Sequence, residues 1–224
     1  MLKAPKKLTK RQIKEDKFVT FYLQAQDYLS QHARNILMGT GVVVILIAAT
    51  VIFSKTRAQK EQSASVELTK GRIEYSSGNY STAIDILKNL IDVYGSTTSG
   101  KVGIYYLADA YYQSGNYVNA EKYFQKYLDE GDDDILSPSA MTGLAACFEQ
   151  AGNYEMAAQK YRESADKYSK GFQAPENYYN AARCFKLAGN AAEAKTLLEK
   201  LIDQYPNSTY KNKAEIFLAE MNLG

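Results

Sequence analysis

The sequence predicts an all-α protein in which an array of helical hairpins follows a single N-terminal membrane helix. Three observations support this prediction: four glycines recur at 37-residue intervals, an uncharged apolar run lies near the N-terminus, and proline is scarce. Proline disrupts helix interiors, so its count of 4 in 224 residues is compatible with long helices. A chain of this length can form one sizeable core together with an appendage.

The N-terminal part of the chain is basic, whereas the remainder is mildly acidic. Residues 1–54 contain eight Lys and Arg against three Asp and Glu, which gives a net charge of +5. The remaining 170 residues contain 19 basic and 22 acidic side chains, which gives −3. A basic patch on the main domain is typical of nucleic-acid-binding proteins, and this distribution argues against that class.

Residues 1–35 are predicted to form a basic cytoplasmic head that contains an amphipathic helix. Between residues 13 and 35, apolar and aromatic side chains recur at three- and four-residue spacings, as on one face of a helix. The pattern fits a helix on the membrane surface, a helix docked on a partner, or a flank that only anchors the next segment. The side chains assigned to the membrane-surface face are Phe18, Phe21, Tyr22, Tyr28 and Leu29.

Residues 36–53 are predicted to form the membrane-spanning helix. Their sequence, ILMGTGVVVILIAATVIF, contains no charge, and at ~1.5 Å per residue it spans about 27 Å of hydrocarbon. A cleaved signal peptide is the alternative, but 35 residues precede the run and no A-x-A site follows it. The segment is therefore expected to remain as a single-pass signal-anchor.

The basic residues on either side of this run predict its orientation. Eight Lys and Arg precede it, whereas only Lys55, Arg57 and Lys60 follow closely. Basic residues favour the cytoplasmic side of a membrane, which places the N-terminus in the cytoplasm. The expected location is a bacterial inner membrane, with residues 54–224 in the periplasm.

The sequence around each of the four glycines also recurs. A small residue stands seven positions before each glycine, an alanine five positions after it, and a large apolar residue nine positions after it. Small residues let two helices approach closely, and large ones fill the space beside them. Each glycine is predicted to end the first helix of a hairpin in the left-handed conformation. The glycines are Gly78, Gly115, Gly152 and Gly189.

These recurring residues resemble the tetratricopeptide repeat family. The second repeat carries the family's pattern in Leu107, Ala108, Tyr111, Ala120 and Phe124. The spacing of 37 residues exceeds the family's usual 34, and only the fourth repeat has the family's proline, Pro206. The resemblance implies an all-α solenoid over residues 54–224. The expected repeats are residues 60–95, 101–131, 138–169 and 175–206, followed by a capping helix over 208–223.

The resemblance also implies where a partner binds. In tetratricopeptide arrays the first helices of the hairpins line a concave groove that binds peptides or partner helices. Tyrosines among mixed charges suit the recognition of polypeptide, although some of these tyrosines are alternatively expected only to pack between repeats. The principal groove positions are Arg72, Tyr75, Tyr105, Asp109, Tyr112, Gln113, Glu149, Gln150, Tyr179, Arg183 and Lys186. The resemblance also assigns to the groove Leu68, Ser76, Thr142, Ala146 and Leu187. The Lys/Asn carboxylate clamp of some family members is absent.

No catalytic or cofactor-binding pattern accompanies these features. The single histidine, His32, lies outside the repeats, so a Ser-His-Asp or Cys-His arrangement is not expected there. Cys147 and Cys184 hold equivalent places in consecutive repeats and are expected to be buried packing residues, with a disulfide as the alternative. The acidic run of residues 129–134 lacks the ligand spacing of a calcium loop. The sequence predicts neither an enzyme nor a metal, cofactor or small-molecule site.

The predicted architecture resembles that of the ancillary subunit of the SecYEG translocon. That resemblance implies a membrane-anchored scaffold or chaperone-type accessory factor that contacts the translocon and periplasmic chaperones. The alternative is a structural accessory subunit of another membrane complex, in secretion, division or bioenergetics.

Overall fold

The computed structural model describes residues 17–130 and 134–223, and every regular element within these ranges is an α-helix. The chain divides into two compact units, Met1–Arg57 and Ala58–Gly224, and the first helix contributes residues to both. The nine helices of the described residues are α1 (Lys17–Ser76), α2 (Tyr80–Tyr94), α3 (Thr98–Gln113), α4 (Tyr117–Glu130), α5 (Ser137–Gln150), α6 (Tyr154–Lys167), α7 (Ala174–Leu187), α8 (Ala191–Gln204) and α9 (Thr209–Leu223).

The described part of the first unit is entirely helical, and its apolar side chains are exposed. Helix α1 is long and apolar enough to cross a membrane by length and composition, and none of its most apolar stretch is buried. The five side chains assigned to the membrane-surface face are all more than half exposed. The His32 ring stacks on Tyr28, with 4.4 Å between ring centroids. Residues 1–16 of the predicted head lie outside the described residues.

The second unit is a series of helical hairpins whose turns are set by the four glycines. Each glycine has a positive φ, between 74° and 84°, which confirms the predicted left-handed turns. At each turn the N–H of the following asparagine donates to a carbonyl five residues earlier, as Asn79 does to Glu74. In two of the turns the side chain of this asparagine also caps the next helix. The Asn153 side chain accepts a hydrogen bond from the Met156 N–H, and the Asn190 side chain accepts one from the Glu193 N–H.

Replacing Gly78 by valine is expected to lower the free energy of unfolding by about 1–2 kcal/mol, because a β-branched residue disfavours positive φ. A Cβ at this position would meet no atom within 4 Å, so the cost comes from the backbone alone. Gly78→Asn is the matched control, since asparagine tolerates the left-handed region, and it should lose less. Thermal unfolding followed by circular dichroism measures both, and equal loss in the two variants would contradict this explanation.

The core lies between the two helices of each hairpin and between successive hairpins. The alanines seven positions before the glycines of the last three repeats are fully buried, as are all four alanines five positions after. In the first repeat Gly71 takes the small position, and a Cβ there would lie 2.7 Å from Leu87 Cδ2. Cys147 and Cys184 are buried free thiols, so the packing interpretation is confirmed and the disulfide alternative is wrong.

The acidic run between the second and third hairpins is described only at its ends. Asp129 lies in the last turn of α4 and accepts a hydrogen bond from the Gln125 side chain. Asp134 is exposed just before α5. Residues 131–133, the middle of the run, lie outside the described residues.

Candidate protein-binding groove

The predicted groove residues lie on the first helices of the four hairpins, namely the end of α1 together with α3, α5 and α7. Arg72, Gln113, Gln150 and Lys186 are exposed. The other principal positions are half-buried, namely Tyr75, Tyr105, Asp109, Tyr112, Glu149, Tyr179 and Arg183. The prediction that Leu68 lines the groove is wrong. Its side chain is only 8% exposed and packs in the core beside Leu87.

At the predicted groove positions, the first two hairpins are joined by a tyrosine and a carboxylate. The Tyr75 hydroxyl donates to Asp109 Oδ2 at 2.5 Å, and Gln113 Nε2 donates to Oδ1 of the same carboxylate at 3.3 Å. Burial, followed by the hydrogen bond and the negative charge of Asp109, raises the pKa of Tyr75 above its ordinary value. Tyr75 therefore remains a neutral donor, and both oxygens of Asp109 already have partners within the protein.

Tyr106, which is not among the predicted groove positions, contacts these residues. The Arg72 guanidinium lies 5.0 Å from the centroid of the Tyr106 ring, a cation–π arrangement. The Tyr75 ring meets the same ring edge-on at 5.7 Å. Tyr106 directly follows the predicted position Tyr105, but adjacent residues of a helix point in different directions, so only the contacts place it here.

The second and third hairpins are joined by two further tyrosines. Burial raises the pKa of Tyr105 to about 12, and its ring packs against the core cluster that includes Leu144 of the third hairpin. Its ring also packs edge-on against Phe124 in the core, at 6.1 Å. Tyr112 packs against the same cluster, which also includes Cys147 of the third hairpin. Both tyrosines therefore pack between repeats while part of each side chain remains exposed.

The third and fourth hairpins are joined by an ion pair. Arg183 donates to Glu149 Oε2 at 2.7 Å, and the same oxygen accepts from the Tyr161 hydroxyl at 3.3 Å. The Cys184 thiol donates to this oxygen at 3.6 Å. Burial alone would raise the pKa of Glu149, but the hydrogen bond and charge of Arg183 outweigh it, so the pKa lies below its ordinary value.

Replacing Arg183 by methionine is expected to lower the free energy of unfolding by about 1 kcal/mol at pH 7, a modest value because Arg183 is partly exposed to solvent. Because folding lowers the pKa of Glu149, the ion pair stabilises the fold fully above the ordinary Glu pKa of 4.5. This stabilisation is lost as the pH falls through the folded-state pKa. Thermal unfolding from pH 7 towards pH 3 should therefore show the difference from the unsubstituted protein shrinking. A pH-independent difference would mean that Arg183 contributes only packing.

The last helix extends the aromatic lining beyond the fourth hairpin. The Tyr179 ring packs against Tyr210 and Phe217, with centroids 5.7 Å and 5.9 Å away. Lys186 Nζ lies 4.9 Å from the centroid of the Phe217 ring. The sequence predicts α9 only as a capping helix, although Phe217 stands in a first-helix position.

Two of these contacts between hairpins share the same spacing along the chain. Tyr75 and Asp109 are 34 residues apart, as are Glu149 and Arg183. The repeat is 37 residues long, so in both pairs a residue of one first helix bonds to a residue about one turn earlier in the next first helix. The side chains at these positions offer hydrogen-bond donors and acceptors and aromatic rings, which are groups suited to binding. Among residues 17–130 and 134–223, no group of three or more His, Cys, Asp or Glu side chains is placed to hold a metal ion.

Comparison with protein families gives two matches. A model described as tetratricopeptide repeat-like domain matches residues 26–177, and a tetratricopeptide repeat model matches residues 176–208. Comparison with curated proteins gives no significant match.

Several solved structures are similar to this chain. One is a putative kinesin light chain from Podosopora anserina with nearly identical TPR-like repeats; it is 16% identical with a TM-score of 0.58, over 72% of this chain and 86% of that one. Pseudomonas aeruginosa pilF is 15% identical with a TM-score of 0.56, over 73% of this chain and 69% of that one. The MamA protein is 17% identical with a TM-score of 0.55, over 63% of this chain and 72% of that one. At this level of identity the likeness shows the fold alone.

Proposed function

Because this chain belongs to the tetratricopeptide repeat family, we propose that it is a protein–protein interaction module that one helix anchors in a bacterial inner membrane. Its concave groove binds a polypeptide partner. Members of this family are typically interaction modules rather than enzymes, and the proposal includes no catalytic activity, cofactor, small-molecule substrate or nucleic acid.

The observation that carries the proposal is the lining of the groove. Half-buried tyrosines and charged side chains occupy the first helices of successive hairpins, and hydrogen bonds between repeats hold Tyr75 and Arg183 in place. Tyrosine offers a large contact area and loses little conformational entropy when a partner binds. Preorganised side chains lower the entropy cost of binding, which favours this surface over the charged outer helices.

The composition and exposure of the N-terminal segment support the anchor. The central side chains of residues 36–53, such as Val44 and Ile47, are more than half exposed, which water would penalise and lipid would not. The family model begins at residue 26, so its match includes this run. The excess of basic residues before the run supports a cytoplasmic N-terminus and a periplasmic array.

Within this proposal, the protein serves the export machinery as a scaffold or chaperone-type accessory factor. Its partners are the SecYEG translocon and periplasmic chaperones, which fits a short basic head, an uncleaved span and an array on the far side of the membrane. The exposed aromatic face of the head, including Phe18 and Phe21, lies on the membrane surface.

Affinity purification in mild detergent, with matched groove and outer-surface variants, tests the proposal. The groove variant is Gln113→Arg with Gln150→Arg, and the control is Gln125→Arg with Gln159→Arg on α4 and α6; all four glutamines are exposed. The unsubstituted protein and the control should recover SecYEG or periplasmic chaperones, and the groove variant should lose the chaperones. Equal recovery by both variants contradicts groove binding, whereas recovery of a different membrane complex contradicts the export assignment alone.

A further inference from the structure

The carboxylates at the predicted groove positions, Asp109 and Glu149, already have partners, whereas two of the three cations there do not. Asp109 accepts hydrogen bonds from Tyr75 and Gln113, and Glu149 is paired with Arg183. The negative charges of the groove are therefore engaged by donors of the protein itself.

Arg72 and Lys186, at opposite ends of the groove, have no such partner. Both are exposed, and within the described residues neither forms an ion pair. Each instead lies over an aromatic ring, Arg72 on Tyr106 at 5.0 Å and Lys186 on Phe217 at 4.9 Å. A ring face holds the cation in position while leaving its N–H donors available to an incoming acceptor.

From this difference we infer that the groove selects an acidic polypeptide segment, bound in extended form with carboxylates at Arg72 and at Lys186. This inference rests on the proposed function and specifies the chemistry of the partner. A basic segment would have to displace the donors that already satisfy Asp109 and Glu149, whereas an acidic one meets cations that have no carboxylate. Lys213, whose Nζ lies 4.5 Å from the centroid of the Tyr210 ring, adds positive charge beside the Lys186 end.

The repeat spacing gives the distance expected between the acidic residues of the partner. Packed helices lie about 8–10 Å apart, so the three steps from the first hairpin to the fourth cover roughly 24–30 Å. An extended chain advances about 3.3 Å per residue, so the two acidic positions are separated by about seven to nine residues. The tyrosines between the two ends then contact the apolar side chains of the bound segment.

A displayed library of random 15-residue peptides, selected on the full-length protein in lipid nanodiscs, tests this inference. Peptides with two acidic positions about seven to nine residues apart should be enriched relative to empty nanodiscs. One strongly enriched peptide is then synthesised and its Kd for the protein is measured. Arg72→Gln and Lys186→Gln should each raise this Kd about five-fold, and added salt should weaken binding. Arg72→Lys should retain most of the affinity, and Lys88→Gln on the exposed face of α2 should change nothing.

The possible results separate the inference from the proposed function. Enrichment of uncharged or basic peptides whose binding is lost in the Gln113→Arg, Gln150→Arg variant overturns the inference and leaves groove binding standing. An unchanged Kd for both Arg72→Gln and Lys186→Gln likewise overturns it. If no peptide is enriched above empty nanodiscs, groove binding of polypeptide is contradicted as well.

Discussion

Replacing Val44 and Ile47 together by arginine is expected to release the protein from the membrane. Both residues lie near the middle of the run 36–53, and their side chains are 59% and 58% exposed. An arginine at the centre of a spanning helix costs about 2.5–3.5 kcal/mol on insertion scales, so two cost roughly 5–7 kcal/mol. Such a change moves the equilibrium from almost complete insertion to almost none.

Fractionation of cells followed by alkaline carbonate extraction measures the effect. The unsubstituted protein should remain in the pellet, and the double arginine variant should appear in the soluble or degraded fraction. Val44→Leu with Ile47→Leu is the matched control and should stay in the pellet, because it preserves hydrophobicity. A double arginine variant that resists extraction would show that another segment holds the protein in the membrane.

The second large effect is expected in the repeat core. Phe124 is 2% exposed, and its ring occupies the space left by Gly143, where a Cβ would lie 2.4 Å from Phe124 Cζ. Phe124→Ala removes this ring and leaves a cavity between the second and third hairpins, which is expected to cost about 3–5 kcal/mol of unfolding free energy. It also removes the edge-on support of Tyr105, which links the core to the groove.

Val118→Ala is the matched control, since Val118 lies on the same helix and is 81% exposed. Its expected effect is within about 0.5 kcal/mol. Urea unfolding followed by circular dichroism compares the two variants. If Phe124→Ala lost no more stability than Val118→Ala, the second and third hairpins would not be packed as described.

The repeat architecture could be predicted from the sequence because its turns and its helix crossings each require a particular type of residue. Only glycine adopts positive φ without strain, so Gly78 and its three equivalents marked the turns and fixed the register. The register then identified the small residues at helix crossings, such as Ala108 and Ala145, both fully buried. The absence of a disulfide between the two cysteines could be predicted from the same register, since equivalent places on neighbouring helices are too far apart for one.

The details of the groove could not be predicted, because they depend on how successive hairpins are rotated against each other. The family resemblance placed Tyr75 and Asp109 among the groove positions, but it did not show that they bond to each other. It also placed Leu68 in the groove, whereas stacking of the first hairpin buries that side chain. Tyr106 and Phe217 were missed for the same reason, since their rings reach the groove through packing that a one-dimensional pattern does not contain.

The central claim is that the concave groove, and not the outer surface, binds the polypeptide partner. Site-specific photo-crosslinking in native membranes tests it most directly, with a photoreactive phenylalanine at Tyr112 in the groove or at Lys122 on the exposed face of α4. We predict a crosslinked polypeptide from Tyr112, identifiable by mass spectrometry, and none from Lys122. Crosslinking from Lys122 alone, or from neither position, would contradict the claim.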